Sequence, residues 1–347
     1  MREAMFQEAL EGGKVLCRLC ALLCKIRDGG RGACGVRVNR GGRLYTLVYD
    51  KVAALHVDPI EKKPLFHFLP GHATFSVGTV GCNFRCLHCQ NSGLSQYPGT
   101  IPLSAVRDGS VEARIPGERL SPEQIVEMAV RDGCRSIAYT YSEPTVFFEL
   151  AHDTARLARA RGLANIFVTN GFISEKPLKT IAPFLDAANI DLKFPDDATH
   201  RRVTGAGVAP VLDSIRRYRD LDIWIEVTTN VIPGLNDSEE LLRAIADFIV
   251  GVDPDIPWHV TRFHPHHRLL DSFPTPVSTL RRAREMAVQA GLRYFYTGNV
   301  PGEEDEHTRC HACKSEIIRR HGCSLQSNEV VDGFCSGCGA RIPGVFE

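Results

Sequence analysis

The sequence lacks a net charge and lacks any long apolar run. Its 41 basic and 41 acidic side chains cancel formally at pH 7, which argues against a general binder of nucleic acids or membrane surfaces. No apolar stretch approaches the roughly 20 residues that span a bilayer. Residues 1–13 include acidic side chains and no apolar core of the kind found in secretory signals. We therefore expect a cytoplasmic protein with no membrane or nucleic-acid partner.

Cysteine, in contrast, is abundant. Thirteen cysteines without a secretory signal indicate a reducing compartment and metal ligation, not a disulfide framework. All but two fall into three groups, and we interpret the remaining Cys134 and Cys323 as structural. The groups are Cys17, Cys20, Cys24 and Cys34; then Cys82, Cys86 and Cys89; then Cys310, Cys313, Cys335 and Cys338.

The middle group has the spacing C-x3-C-x2-C and follows an apolar run, Ala73–Val80, that predicts a buried strand. Three closely spaced thiolates can hold three corners of an iron–sulfur cubane. Because the next cysteine is Cys134, one iron would stay open to a substrate or cofactor, and an open metal position indicates chemistry. Buried structural thiols or half of a zinc site are the alternatives. Gly81 and Asn83 favour a loop over a core, which weakens both.

The amino-terminal group, C-x2-C-x3-C-x9-C, also predicts a metal site. A zinc knuckle and a second iron–sulfur cluster both fit, since tetrahedral sulfur coordination suits either. We favour a structural role in a small lobe over an electron relay. Next, Val36–Val38 and Arg43–Tyr49 flank glycines in a pattern typical of a β-hairpin.

The carboxyl-terminal group consists of two C-x2-C knuckles separated by twenty-one residues. This spacing predicts a zinc ribbon that binds zinc through Cys310, Cys313, Cys335 and Cys338. A structural zinc that folds a small appendage is favoured over a docking module or a rubredoxin-like electron-transfer site.

Between these groups, the chain alternates strand-like and helix-like stretches, which predicts an α/β fold with a parallel sheet. A full eight-stranded barrel takes about 250 residues, so we predict a partial, (β/α)6-type open barrel. We place domain boundaries at 1–72, 73–300 and 301–347. The predicted strands are Ala73–Val80, Ser136–Tyr141, Asn165–Thr169, Ala187–Leu192, Ile223–Thr228, Trp258–Phe263 and Arg293–Thr297; predicted helices include one capped at Ser121, Thr145–Arg161, Ser238–Val250 and Val277–Ala290.

The cysteine loop after the first strand resembles the signature of the radical S-adenosylmethionine (SAM) superfamily. Asp191-Leu192-Lys193 and Ile232–Asp237 resemble the pyruvate formate-lyase activating enzymes in particular. Nearly the whole chain is similar to AmmeMemoRadiSam-system radical SAM enzymes. That similarity rests on Cys17–Cys20, Cys34–Arg37, Asp58–Leu65, Gly78–Cys82, Cys89–Asn91, Thr140–Thr145 and Ile342–Val345.

The resemblance implies a [4Fe–4S] cluster on Cys82, Cys86 and Cys89, with SAM at the open iron. It also implies a reduced donor of the flavodoxin or ferredoxin type. The expected product is a 5′-deoxyadenosyl radical that abstracts hydrogen from an unidentified small molecule, peptide or protein.

Polar residues follow nearly every predicted strand, at the edge where parallel α/β folds place their chemistry. Glu143 could accept from the SAM ammonium and Lys193 could pair with its carboxylate. Asn170, Asp191 and Asn299 could contact hydroxyls or adenine. His88 stands where many superfamily members have an aromatic residue near the adenine. The full set of predicted cofactor contacts is His88, Gln90, Ser142, Glu143, Asn170, Asp191, Lys193, Asn230, His264 and Asn299.

Three functions remain open on this sequence. Activation of a glycyl-radical enzyme and direct modification of a small molecule or peptide both use the cysteine triad. A zinc-ribbon adaptor or binding module with an inactive barrel is the third, and the complete triad and zero net charge count against it.

Three further interpretations concern single segments. Gly93–Arg119 has little regular pattern and is expected to be a lid or disordered. Lys62 and Lys63 could face the active site, but we favour solvated surface lysines. His259, His264, His266 and His267 are read as substrate-facing residues at the barrel mouth and not as a metal site.

Overall fold

The computed structural model describes residues 1–300 and 304–347. The first residues of the predicted 301–347 segment therefore lie outside the described residues. The amino-terminal part contains two small three-stranded sheets, of strand order β1-β6-β5 and β2-β3-β4. Its strands are β1 (Arg2–Glu3), β2 (Gln7–Ala9), β3 (Val15–Cys17), β4 (Lys25–Ile26), β5 (Arg37–Arg40), β6 (Arg43–Thr46) and β7 (Lys51–Val52).

The predicted hairpin is confirmed as the antiparallel pair β5 and β6. Gly41 and Gly42 join the two strands at φ of 61° and 79°. Two successive positive φ values match a tight turn whose twist suits a hairpin, and glycine adopts them without steric cost.

An eight-stranded sheet occupies the centre, in the order β16-β15-β14-β13-β12-β11-β9-β8. Strand β8 runs antiparallel to β9, and the other neighbours pair in parallel in chain order. Within the described residues the two end strands do not pair with each other, so the predicted open barrel is confirmed. The strands of this sheet are β8 (Ala54–Pro59), β9 (Ala73–Gly78), β11 (Ser136–Tyr139), β12 (Ala164–Thr169), β13 (Ala187–Asp191), β14 (Trp224–Val231), β15 (Trp258–Arg262) and β16 (Phe295–Gly298). Strand β10 (Glu118–Arg119) lies outside this sheet and pairs with β7.

Helices follow the strands and pack on the outside of the sheet. The predicted capping box is confirmed: Ser121 Oγ accepts from Gln124 N at 3.3 Å, and Gln124 Oε1 accepts from Ser121 N at 2.8 Å. No helix among the described residues has the length and apolarity to cross a bilayer. The α-helices are α1 (Ser92–Ser95), α2 (Leu103–Arg107), α3 (Pro122–Arg131), α4 (Phe148–Ala160), α5 (Glu175–Ile181), α6 (Asp197–Thr204), α7 (Ala209–Asp220), α8 (Glu239–Val252) and α9 (Val277–Ala290); 3₁₀ turns cover Glu11–Gly13, Ile60–Lys62, Tyr97–Thr100, Glu112–Arg114, Pro144–Phe147, Ala182–Phe184 and Glu304–Glu306.

The Gly93–Arg119 segment differs from its expectation. It is not disordered, because short helices and turns run through it. Ile101, Val106, Val111 and Ile115 are buried in the main core. Helices this short show no 3.6-residue periodicity, which is why the pattern was missed; tertiary burial of single apolar residues holds the segment.

The carboxyl-terminal module carries β17 (Thr308–Arg309), β18 (Glu316–His321), β19 (Ser324–Asn328), β20 (Val330–Val331) and β21 (Phe334–Cys335). It packs against the residues that precede β9. Leu69 N donates to Val345 O at 2.7 Å and Val345 N to His67 O at 2.8 Å. Buried Arg320 donates to Phe66 O at 2.7 Å. The module is therefore attached near the amino ends of the parallel strands, away from the cysteine loop.

Candidate active site

The cysteine loop, residues 81–91, follows β9 at the carboxyl end of the sheet. Its backbone is tied to helix α6, since Arg85 N donates to Thr204 O at 2.6 Å and Leu87 N to Val203 O at 3.0 Å. The guanidinium of Arg85 donates back to Cys82 O at 2.8 Å. The loop has no helix or strand of its own, but these hydrogen bonds hold the backbone that carries the three thiols.

Gly81 begins the loop at a φ of 104°, a conformation open to glycine and strained for other residues. A Cβ there would lie 2.8 Å from Val36 Cγ1 and 3.1 Å from Cys34 O. The amino-terminal lobe therefore packs directly against the start of the cysteine loop.

A cavity of about 510 Å³ opens beside the triad, within the usual range for small-molecule sites. Cys82, Cys86 and Cys89 all line it. Burial raises the pKa of Cys86 to about 12, with the neighbouring Lys193 opposing that shift, so ligation by a metal is what would make this thiol ionise. Of the predicted cofactor contacts, nine line the cavity: His88, Gln90, Ser142, Glu143, Asn170, Asp191, Lys193, Asn230 and Asn299.

Glu143 is fully buried, and its two carboxylate oxygens accept different numbers of hydrogen bonds. Oε1 accepts from Thr145 N at 3.0 Å, Thr145 Oγ1 at 2.6 Å and Thr169 Oγ1 at 2.7 Å. Oε2 accepts only from Asn170 N, at 2.8 Å, among the described residues. Burial raises the pKa of Glu143 despite these hydrogen bonds. A carboxylate oxygen accepts about two hydrogen bonds, so Oε2 keeps one acceptor position.

Asp191 and Lys193 form an ion pair at the end of β13, with 2.8 Å between Lys193 Nζ and Asp191 Oδ2. Burial opposes the charge of Lys193, yet Asp191 and Cys86 raise its pKa overall. Among the described residues its ammonium donates to Asp191, which leaves two of its three N–H groups able to bind an anionic group.

Three buried polar atoms at this cavity have no partner among the described residues: His88 Nδ1, Ser142 Oγ and Thr228 Oγ1. Burial, and then Lys193, lower the pKa of His88 to about 3, so the imidazole is neutral. Buried polar atoms usually have hydrogen-bond partners. Three exceptions on one cavity wall therefore fit a ligand with several donors and acceptors, such as SAM, and the thiol triad fits a cluster.

Asn170 supports the loop from within the protein. Its Oδ1 accepts from Phe172 N at 2.9 Å, and its Nδ2 donates to Asn83 Oδ1 at 2.8 Å and lies 3.7 Å from Cys82 Sγ. Both polar atoms are engaged. Its predicted contact with SAM stays a prediction, and its observed contacts connect it to Asn83 of the cysteine loop.

Lys62 and Lys63 were read as surface residues, and that interpretation is wrong for Lys63. Both line the cavity, and Lys63 is 2% exposed. Asp58 accepts from Lys63 at 2.6 Å, from Lys62 at 2.9 Å and from Tyr141 Oη at 2.7 Å. Burial opposes ionisation of Asp58, but these donors lower its pKa overall. No local pattern could reveal this cluster, because β8 reaches the site only by pairing with β9.

Two histidine interpretations need correction. His264 is exposed and is not among the residues that line the cavity. His259 is buried at 3% exposure and hydrogen-bonds Glu226 Oε2 at 2.6 Å. His259 is the second residue of β15, so it points into the barrel near the amino ends of the strands, away from the mouth.

The carboxyl-terminal cysteines form a compact group. The four Sγ atoms of Cys310, Cys313, Cys335 and Cys338 all lie within 4.8 Å of one another. Two of the sulfur–sulfur separations are 3.7 Å and 3.8 Å. Tetrahedral bonds of about 2.3 Å to one ion require sulfurs roughly 3.8 Å apart, so this group can bind a metal ion.

Comparison with known proteins agrees with this geometry. Residues 76–248 match the family model described as the radical SAM superfamily. A protein of uncharacterised function from Methanocaldococcus jannaschii is 43% identical over 345 residues, covering 99% of both chains. The pyruvate formate-lyase-activating enzyme of Staphylococcus epidermidis is 22% identical over 255 residues, covering 66% of this chain and 96% of the relative.

Among solved structures, a radical SAM methyltransferase from Sphaerobacter thermophilus is 15% identical with a TM-score of 0.49, covering 67% of this chain and 68% of that one. The chain belongs to the radical SAM superfamily. The predicted membership and the predicted kinship with activating enzymes are confirmed.

Proposed function

We propose that this protein is a radical SAM enzyme in which Cys82, Cys86 and Cys89 hold a [4Fe–4S] cluster and the adjoining cavity binds SAM. The observation that carries the proposal is the triad at the wall of a cavity with three unpartnered polar atoms. When bound, the cluster and SAM supply a 5′-deoxyadenosyl radical for hydrogen abstraction, using one electron from a flavodoxin- or ferredoxin-type donor.

The chain's own residues bind and orient SAM. The free acceptor position of Glu143 Oε2 suits the methionine ammonium, and the two spare N–H groups of Lys193 suit the carboxylate. Ser142 and Thr228 offer hydroxyls to the ribose. Neutral His88 offers its ring and an unpartnered nitrogen to the adenine.

The substrate is either a glycyl-radical enzyme or a smaller molecule. Activation of a protein is supported by the pyruvate formate-lyase-activating relative, which is matched over 96% of its length. Direct modification of a small molecule or peptide is supported by the long Gly93–Arg119 segment and by the two lobes outside the barrel. Both reactions use the same cysteine triad, and the adaptor alternative uses none of it.

Formation of 5′-deoxyadenosine tests the proposal. After anaerobic reconstitution with iron and sulfide, reductant and SAM should yield 5′-deoxyadenosine and methionine, measured by chromatography. Transfer of deuterium from labelled candidate substrates into that product then identifies the substrate class. Zinc-only protein with no iron–sulfur absorbance would support the adaptor instead.

The matched variants are Cys86→Ala and Cys134→Ala. Both remove a buried thiol, but Cys134 lies outside the three cysteine groups. Cys86→Ala should abolish 5′-deoxyadenosine formation while metal at the carboxyl-terminal group is retained. Cys134→Ala should keep its turnover; equal loss in both variants would mean that the effect is one of folding.

A further inference from the structure

The amino-terminal quartet, Cys17, Cys20, Cys24 and Cys34, is spaced differently from the carboxyl-terminal one. In the part of the chain that the structure describes, the carboxyl-terminal quartet is the group whose ligand atoms all lie within 4.8 Å of one another. The amino-terminal quartet is not such a group, and neither is the catalytic triad. One ion at about 2.3 Å from each sulfur needs the compact spacing, whereas a cubane distributes its thiolates over four separate irons.

The four amino-terminal cysteines nevertheless face one another. All four line a single small cavity, together with Leu19, Leu22 and Val146. Cys17 and Cys34 are buried, and Cys20 and Cys24 are partly buried. Thiols arranged around a space, and not in contact across it, are what a cluster larger than one ion requires.

The buried guanidinium of Arg37 would stabilise a negatively charged iron–sulfur cluster in this cavity. Arg37 also lines it, is 1% exposed and has its Nη1 3.7 Å from Cys17 Sγ. Its Nη2 pairs with Glu149, but its Nε has no partner in the part of the chain that the structure describes. An unused N–H beside four thiolates is suited to a sulfide of a cluster, because iron–sulfur centres take hydrogen bonds to their sulfurs.

The cavity also adjoins the catalytic loop. Asn83, which follows the first cysteine of the triad, lines it, and Asn83 Oδ1 accepts from Asn170 at 2.8 Å. Cys34 O would lie 3.1 Å from a Cβ on Gly81. The cavity of the quartet therefore borders the cysteine loop at Asn83, the residue that follows Cys82.

We propose that Cys17, Cys20, Cys24 and Cys34 bind an iron–sulfur cluster, not a single zinc ion, directly behind the loop that carries the triad. The ligand class is a cubane with four cysteinyl corners and no open iron. The proposal concerns metal identity and does not depend on SAM chemistry.

The decisive variant replaces all three triad cysteines, Cys82, Cys86 and Cys89, with alanine and leaves the amino-terminal lobe intact. After anaerobic reconstitution, we expect about four irons and four sulfides per chain. A reduced-cluster electron paramagnetic resonance signal and zinc at the carboxyl-terminal quartet alone should accompany them. Two zinc ions per chain and no sulfide in this variant would overturn the proposal.

A second variant assigns the iron to the quartet. Adding Cys20→Ala and Cys24→Ala to the triad variant should remove the remaining iron and sulfide while the carboxyl-terminal zinc is retained. Adding Cys134→Ala instead should leave the iron content unchanged. Iron and sulfide that persist without Cys20 and Cys24 would place the cluster elsewhere and contradict the assignment.

Discussion

Two buried glutamates in the same barrel, Glu143 at the cavity and Glu226 in the core, differ in how their carboxylates are hydrogen-bonded. Glu226 and Glu143 are both 0% exposed and each accepts four hydrogen bonds. On Glu226 the donors divide two and two, so both oxygens are saturated. On Glu143 they divide three and one, and the less used oxygen belongs to a residue of the cavity wall. Glu143 therefore keeps hydrogen-bonding capacity beside the cavity, whereas Glu226 has none left.

The polar residues near the two glutamates differ in the same way, in whether they have hydrogen-bond partners. Around Glu226, His67 contacts Pro343 O at 2.7 Å and Tyr296 Oη at 2.6 Å, so both its ring nitrogens are engaged. Near Glu143, the hydroxyls of Ser142 and Thr228 have no partner among the described residues. The carboxyl-terminal module thus supplies a partner to His67 at the amino end, whereas two hydroxyls beside the cavity remain available to a ligand.

Removal of Glu226 should have the largest effect on stability. Glu226→Ala leaves Phe66 N, His67 N, Trp224 Nε1 and the His259 ring without their acceptor. Breaking a buried charged network costs about 3–5 kcal/mol. Urea denaturation should show this as a lower midpoint. Glu175→Gln, which removes an exposed ion pair on α5, should change little; equal midpoints for both variants would refute the structural role.

Stability should also fall at acidic pH because of His67, which lies at the same end of the barrel as Glu226. Burial lowers the pKa of His67 to about 4 from 6.5, so between those values the unfolded chain binds a proton that the folded chain does not. The contribution of His67 to the free energy of unfolding is fully present above about pH 6.5. It is lost as the pH falls towards 4, at about 1 kcal/mol per pH unit. Denaturation midpoints from pH 7 to 4 measure this.

His67→Gln is the control for that dependence. Glutamine keeps a donor and an acceptor but does not titrate, so the slope of stability against pH should become shallower by about the same amount. An unchanged slope would assign the acid sensitivity to other groups.

Glu143→Gln should weaken SAM binding more than it weakens the fold. The amide removes the charge that would face the SAM ammonium, and hydrogen bonds to charged groups contribute about 1.5–3 kcal/mol. We expect a KM for SAM about 30-fold higher, measured by 5′-deoxyadenosine formation. A normal KM with a lowered denaturation midpoint would give Glu143 only a structural role, like that of Glu226.

Thr228 and Thr229 are adjacent on β14 and face opposite sides of the sheet, because successive residues of a strand alternate. Comparing them separates a residue of the cavity wall from a residue of the core. Thr228 Oγ1 has no partner at the cavity. Thr229 Oγ1 donates to Leu192 O at 2.8 Å and accepts from Trp258 Nε1 at 2.9 Å. Thr228→Val should raise the KM for SAM up to about tenfold with unchanged stability, whereas Thr229→Val should cost about 1–2 kcal/mol with unchanged KM. The reverse pattern would contradict the assignment of the cavity.

Much of the fold and part of the site were predictable because they depend on local pattern. All seven predicted parallel strands occur, and their alternation with helices already predicts an open barrel. Strand ends supplied Glu143, Asp191 and Lys193, since parallel strands end at one edge. The errors concern residues whose environment is set by distant segments. Lys63 is buried because β8 joins the sheet, and His259 is buried because Glu226 lies on the neighbouring strand.

The sequence by itself predicted three cysteine groups, because short spacings within the triad and within each knuckle keep those thiols within reach of one centre in any fold. The two carboxyl-terminal knuckles, twenty-one residues apart, are brought together only by the tertiary structure. Tertiary structure alone decided how far apart those thiols lie and what surrounds them. The separation of the sulfurs depends on the packing of Gly81 against Cys34 and of Arg37 beside Cys17, contacts between segments far apart in the chain. The same holds for Glu143 and Glu226, which are alike in type and burial and differ only in where their hydrogen-bond donors come from.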